Sequence, residues 1–283
     1  MSAAAVADAA APPPRHARMQ ATYGFGLFPL PRYREARLGE WRVVRHLPSL
    51  GDGYISGPVV EPARYVLYHN RTAWMSTGLM EQESHAFHVD QARGIVIAAG
   101  FGMGMFAFAA CEKPEVEQVI VAERTPEVVA LMRQAARVDE WPGRHKLEIV
   151  HADALATDLA RQIGVDARRP DYLFADIWHT CAAPNAPKET AAMVAALRPK
   201  AAGWWGQELS FALWCRDREK PPDETALRDY AAALGVPISL TKQYLAFCRD
   251  AIAVNLPDIC RPTGVSSWRE RCRRKLSWRQ QAR

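Results

Sequence analysis

From about residue 94 onward, short apolar runs alternate with segments whose apolar positions recur at helical spacing. The runs at 95–99, 118–122, 147–151, 172–175 and 202–206 are continuous rather than alternating, the pattern of strands buried on both faces. Between them, Thr125 followed by Pro126 marks a helix start, and Val128, Leu131, Met132 and Ala135 then share one face. Asp223 opens a second helix with Leu227, Tyr230, Ala231 and Leu234 on its buried stripe, and Gly235 stops it. This alternation predicts an α/β architecture, a parallel sheet covered by helices on both faces. The runs at 238–248 and 251–256 are separated only by Arg249 and Asp250, too close for a crossover, and so predict a C-terminal antiparallel hairpin. Before residue 94 the pattern is different: 41–47 reads as a strand, and 65–68 with 72–75 as a hairpin turning at His69, Asn70 and Arg71. The expected organisation is a leader at 1–20 without fixed structure, a small β-rich module at 21–80, the α/β domain at 81–260, and a basic helix or tail at 261–283.

Composition excludes intrinsic disorder for the body: 49% of the 283 residues are hydrophobic and 24% charged. The six cysteines are scattered, with no Cys-x-x-Cys and no zinc-like pairing with histidine, so they read as reduced thiols and no metal is expected. The net charge of +5 is unevenly placed. Residues 261–283 hold eight Arg or Lys against one Glu, a net +7, which leaves the first 260 residues at −2. Such a tail could grip phosphates, but Trp268, Cys272 and Leu276 fall at i, i+4 and i+8. A terminal helix docking one apolar stripe is the better reading, and nucleic acid is not an expected partner. The first 20 residues lack the basic-then-apolar order of a secretory signal. Residues 94–111 are uncharged, but Gly94, Gly100, Gly102 and Gly104 suit a strand, tight loop and helix better than a membrane span. The expected location is cytoplasmic, with no membrane partner.

The informative segment is the strand that runs into Gly100-Phe101-Gly102-Met103-Gly104 and then an apolar helix. Bare backbone there lets a ligand approach closely, although Met105 interrupts the usual dinucleotide glycine spacing. Three acids follow at strand ends. Glu123 stands 23 residues after Gly100, where a carboxylate could accept both hydroxyls of a ribose. Asp153 follows the third strand, where it could accept from an adenine amino group. Asp176 ends the fourth strand, and ligands of open α/β sheets sit outside those carboxyl ends.

Together these residues resemble the class I S-adenosylmethionine-dependent methyltransferase superfamily over about residues 90–256, including Leu197-Arg198-Pro199 before the fifth strand. The resemblance implies a Rossmann-like, mostly parallel sheet. It implies S-adenosylmethionine as cofactor, with contacts from Gly100, Phe101, Gly102, Gly104, Glu123, Arg124, Asp153, Ala154 and Asp176. The β-rich module and the segment from Met80 to His88 are similar to the spermidine-synthase-like branch, which transfers an aminopropyl group and carries Asp-x-x-Asp after the fourth strand. Here Asp176 is kept and His179 stands in the second position.

Alkylation by a sulfonium needs alignment and a base, and Asp176 and His179 leave the same strand end, so they are the expected catalytic pair. Trp178, Trp204 and Trp205 could enclose a cation, one of the adjacent pair facing the core instead. Glu81, Glu83, His85 and His88 line either the entrance or a solvated helix face. The expected activity is methyl transfer to a small molecule. The alternatives are aminoalkyl transfer or cyclisation using S-adenosylmethionine or its decarboxylated form, and a non-catalytic cofactor-binding scaffold. A homodimer is left open.

Overall fold

The structure, a computed structural model, describes residues 15–165 and 169–256. Helix α1 (Arg15–Tyr23) leads into six short strands: β1 (Ala36–Leu38), β2 (Trp41–His46), β3 (Ser49–Gly53), β4 (Gly57–Glu61), β5 (Arg64–His69) and β6 (Thr72–Ser76). They form two antiparallel sheets, one in the order β1-β2-β5-β6 and a separate β3-β4 hairpin. The β5–β6 hairpin turns at Asn70, which accepts a positive φ of 54°. Helix α2 (Leu79–Gln91) then connects this module to the rest, and it is buried along nearly its whole length.

The second part alternates strand and helix: β7 (Gly94–Ala99), α3 (Met105–Cys111), β8 (Val116–Glu123), α4 (Pro126–Ala135), β9 (Leu147–His151), α5 (Leu159–Gln162), β10 (Tyr172–Ala175), α6 (Ala186–Leu197) and β11 (Ala201–Trp204). Helices α7 (Gln207–Arg216), α8 (Glu224–Leu234) and α9 (Lys242–Asn255) follow. The five strands pair in parallel in the order β11-β10-β7-β8-β9, a Rossmann-like sheet whose direction of winding reverses beside β7. Register sets what happens at that reversal. Ala99 lies beside both Ala122 and Ala175, and Ala175 beside Trp204. The strands therefore end level, and Gly100, Glu123, Asp176 and Trp205 leave the sheet side by side.

The expected C-terminal hairpin is a helix, and among the described residues the Rossmann-like sheet has no antiparallel strand. Tyr244, Leu245, Phe247, Cys248, Ala251 and Ile252 are buried at spacings of one, three and four, which is helical periodicity, and Arg249 and Asp250 fall on the exposed face. Thr241 caps the helix by accepting from the Tyr244 backbone N–H at 3.0 Å. A difference of the same kind occurs at the other end. Residues 15–20, expected in the leader, belong to α1, because Met19 and Tyr23 share one face and are buried. Phe247 meets Tyr23 and Phe25 edge-on, with centroids 5.4 and 5.2 Å apart, so α1 and α9 close one aromatic cluster. The expected basic tail at 261–283 lies outside the described residues. No helix among the described residues is long and apolar enough to cross a membrane.

Candidate active site

A cavity of about 580 Å³ opens at the level ends of the parallel strands. Its floor is the glycine bend. Gly100 has φ of 93°, and a Cβ there would lie 2.4 Å from the Asp176 carbonyl oxygen, so the bend passes directly over the end of β10. At Gly102, with φ of 51°, a Cβ would lie 2.6 Å from the Met75 sulfur. Both glycines line the cavity. Gly104 and Phe101 do not: Gly104 starts α3 beneath Trp141, and Phe101 is buried. Phe101 instead contributes its backbone N–H, donated to Glu123 Oε2 at 2.8 Å.

Glu123 is fixed from two sides, since its Oε1 accepts from the Thr125 N–H at 2.7 Å. A carboxylate has about four lone-pair sites, so each oxygen retains capacity toward the cavity that Glu123 lines. Arg124, Asp153 and Ala154 line the same space. Asp153 uses Oδ1 to accept from the Leu155 N–H at 3.0 Å, a local turn that holds the carboxylate at the end of β9. Asp176, its side chain 15% exposed, accepts through Oδ2 from His85 Nε2 at 3.1 Å. The acids expected from the sequence therefore do face one cavity.

His179 is placed elsewhere. Its Nε2 donates to the Ala73 carbonyl at 2.8 Å, its ring lies 5.1 Å from that of Trp74, and it is not part of the cavity lining. It fastens the loop after β10 to β6. The histidine that meets Asp176 is His85, from α2. The solvated-face reading of α2 is corrected by burial: Glu81, Glu83, His85 and His88 are each 7% exposed or less. Only Glu81 of the four lines the cavity, accepting from the Ser76 N–H and hydroxyl at 3.1 and 3.0 Å. His88 hydrogen bonds the Tyr172 hydroxyl at 2.8 Å, and burial holds its pKa well below the usual histidine value.

Trp204, the last residue of β11, and Trp205, just beyond it, point to opposite sides. Trp204 packs in the core near Tyr230, whereas Trp205 lines the cavity and donates from its indole to Ser84 Oγ at 2.9 Å. The remaining wall comes from residues that the sequence did not suggest. The N-terminal sheet contributes Trp41, stacked on His69 at 4.4 Å, and Trp74, edge-on to Trp41 at 5.7 Å. Glu189 of α6 accepts from the Trp178 indole at 2.6 Å and from the Asn185 amide at 2.7 Å. These positions lie far from the glycine motif in sequence, and only assembly of the two parts brings them near it. Among the described residues, five carboxylates (Glu81, Glu123, Asp153, Asp176 and Glu189) thus face the cavity against one guanidinium, Arg124. The lining is acidic and aromatic, a combination that attracts cations. Among the described residues no cluster of side chains is arranged to hold a metal ion.

No protein-family profile matches this sequence, and no curated protein matches it. Several solved structures are similar to it. The methyltransferase domain of bacterial CtHen1 aligns at 16% identity over 41% of this chain and 57% of that one, with a TM-score of 0.30. Spermidine synthase from Thermotoga maritima aligns at 14% identity over 63% of this chain and 58% of that one, with a TM-score of 0.35. A spermidine synthase in complex with the transition-state analogue AdoDATO gives 14% identity over 63% and 57%, with a TM-score of 0.34. The alignments span less than three fifths of each of those chains. The Rossmann-like class of the fold rests on the strand order and register described above.

Proposed function

We propose that this chain binds S-adenosylmethionine in the cavity and transfers its methyl group to a small molecule. The observation that carries the reading is the convergence of Gly100 and Gly102 with Glu123, Asp153 and Asp176 around one opening at the carboxyl ends of the parallel strands. The donor set fits the group: carboxylates suited to ribose hydroxyls and an adenine amine, bare backbone at the bend, and aromatic faces suited to a sulfonium. A cavity of about 580 Å³ lies within the range of small-molecule sites.

When bound, the cofactor supplies an electrophilic carbon whose leaving group departs as a neutral thioether. The protein's part is alignment and proton removal. Glu123 and Asp153 hold the nucleoside end, Trp41, Trp74 and Trp205 limit water and orient a cationic or aromatic acceptor, and Asp176 takes the proton that the acceptor sheds. Among the described residues no hydrogen bond occupies Asp176 Oδ1, which leaves that oxygen available as the base.

A second reading, transfer of the cofactor's aminoalkyl chain, is favoured by the excess of carboxylates over cations in the lining, which suits an amine acceptor or an amine-bearing donor. One experiment separates them. Pure protein is incubated with S-adenosylmethionine and a metabolite extract, and both products are read by mass spectrometry. S-adenosylhomocysteine with a methylated acceptor supports the first reading, and methylthioadenosine the second. Binding of the cofactor by calorimetry without either product would leave a scaffold, and absence of binding would overturn the assignment.

A further inference from the structure

Asp176 is backed by a residue that does not reach the cavity. His85 is 1% exposed, wedged edge-on against Phe174 of β10 with centroids 5.2 Å apart, and behind the carboxylate at the end of the same strand. Its Nδ1 lies 2.7 Å from the Glu81 carbonyl oxygen, one turn earlier on α2. A carbonyl only accepts, so Nδ1 carries a hydrogen. Its Nε2 lies 3.1 Å from Asp176 Oδ2. Two lone pairs would repel at that distance, so one proton lies between ring and carboxyl. Both ring nitrogens are thereby engaged, and the ring cannot turn without breaking one bond or the other.

We propose that His85 is the positioning residue of the transfer reaction, holding Asp176 Oδ2 through this shared proton so that Oδ1 faces the acceptor. The inference rests on the reading of Asp176 as the base. In the step it serves, the acceptor's nucleophilic atom bonds the transferred carbon while the carbon–sulfur pair stays with sulfur. The acceptor's own proton passes to Oδ1, and the bridging proton remains between Nε2 and Oδ2. His85 acts electrostatically on His88 of its own helix and on Glu208 of α7. His88 is bonded to Tyr172, and Glu208 to Tyr54 and Tyr244, which leaves Asp176 as the carboxylate that His85 bonds. The same helix reaches the next strand end, because Ser84 Oγ accepts from the Trp205 indole at 2.9 Å. Helix α2 thus aligns one side chain at the end of β10 and one just beyond β11.

The test uses the full chain. With the acceptor identified by the extract experiment, His85→Leu is expected to lower kcat about 10–100-fold, the share of general-base catalysis that depends on orientation. KM and calorimetric binding of S-adenosylhomocysteine should stay within about twofold, and His85→Gln, which restores an N–H toward Oδ2, should recover most of kcat. A second readout needs no acceptor. In ¹⁵N-histidine spectra, His85 should carry slowly exchanging protons on both nitrogens. Asp176→Ala should remove the Nε2 proton signal. An Nε2 signal unchanged in Asp176→Ala, or an unchanged kcat in His85→Leu, overturns the proposal. Failure of the unmodified protein to bind S-adenosylhomocysteine overturns the functional reading instead, whatever the histidine spectra show.

Discussion

Helix α2 carries two glutamates two residues apart that the fold treats in opposite ways, and they stand for two classes of carboxylate in the molecule. Glu81 lines the cavity with Glu123, Asp153 and Asp176, and the last three hold one or two protein donors each and keep acceptor capacity toward open space. Glu83 faces the other way and is saturated: it accepts from the N–H groups of Ile55 and Ser56 and from the Ser56 hydroxyl, with Arg15 at 3.7 Å. Glu61, which takes the Leu79 N–H at the start of α2 and pairs with Arg64, and Glu208, which takes the Tyr54 and Tyr244 hydroxyls, belong with it. Buried carboxylates persist only where donors surround them. The saturated set therefore holds the β-rich module, α2 and α9 against the sheet, and the unsaturated set is what remains for a ligand.

The largest expected effect breaks the saturated set. Glu208→Ala would leave the buried Tyr54 hydroxyl unpaired and the Tyr244 hydroxyl with the Gln207 amide but no acceptor for its own proton, a loss of about 3 kcal/mol, which lowers Tm by roughly 6–12 °C in a chain of this size. Calorimetric binding of S-adenosylhomocysteine by the folded fraction should change less than about threefold, because Glu208 lies outside the cavity lining. A large loss of affinity at unchanged Tm would contradict the division into two sets.

Glu123→Gln should do the reverse. The amide oxygen can keep one of the two backbone N–H bonds now made to Phe101 and Thr125, so Tm should fall by only a few degrees. If Glu123 accepts two ribose hydroxyls as the proposed function requires, replacing its charge by an amide should weaken S-adenosylhomocysteine binding about 10–100-fold. Comparable loss in Tm and none in affinity would move Glu123 into the structural class.

Acid should act on the buried side. Burial depresses the His88 pKa well below 6.5, so the unfolded chain takes up this proton before the folded one does. Its contribution is fully present above pH 6.5 and is lost as pH falls from there toward the depressed value, with a slope of at most about 1.4 kcal/mol per pH unit. Denaturant titrations of His88→Gln and the unmodified protein should converge in slope above pH 7 and diverge below 6.5. Parallel curves throughout would show that His88 does not titrate on unfolding.

What was legible beforehand follows from how local each signal is. Strands β9 and β10 were readable to the residue because turn residues bound short β-rich runs, and Asp223 caps α8, as read, by accepting from the Ala226 N–H at 2.9 Å. The β3–β4 hairpin escaped because its cross-strand pair Leu50 and Val60 is exposed, so no buried alternation marks it. Helix α9 was misread because its aromatic and β-branched residues mimic strand composition, although their spacing is helical. At the site, the glycine bend and its three acids were visible as consecutive strand ends. The partner of Asp176 was not: His179 is near it in sequence, but His85 reaches it from a helix 91 residues earlier. Trp41 and Trp74 enter the cavity only because the antiparallel module docks over the glycine bend through Met75, which receives the Met103 N–H at 3.3 Å.

The smallest expected effect sharpens the unsaturated set at its most exposed member. Asp153 uses Oδ1 for the Leu155 N–H and has Oδ2 to offer an adenine amino group. In Asp153→Asn the amide oxygen keeps the turn, while its N–H₂ meets the ligand with a donor where an acceptor stood. Tm should stay within about 1 °C, and S-adenosylhomocysteine affinity should fall only about 3–10-fold, since an exposed contact competes with water. The deaminated analogue S-inosylhomocysteine reverses the ligand's polarity, presenting a carbonyl in place of the amine. It should bind Asp153→Asn at least as well as it binds the unmodified protein. Equal weakening of both ligands would mean that the carboxylate acts through charge or loop shape rather than by accepting from the base, and would remove Asp153 from the recognition of adenine.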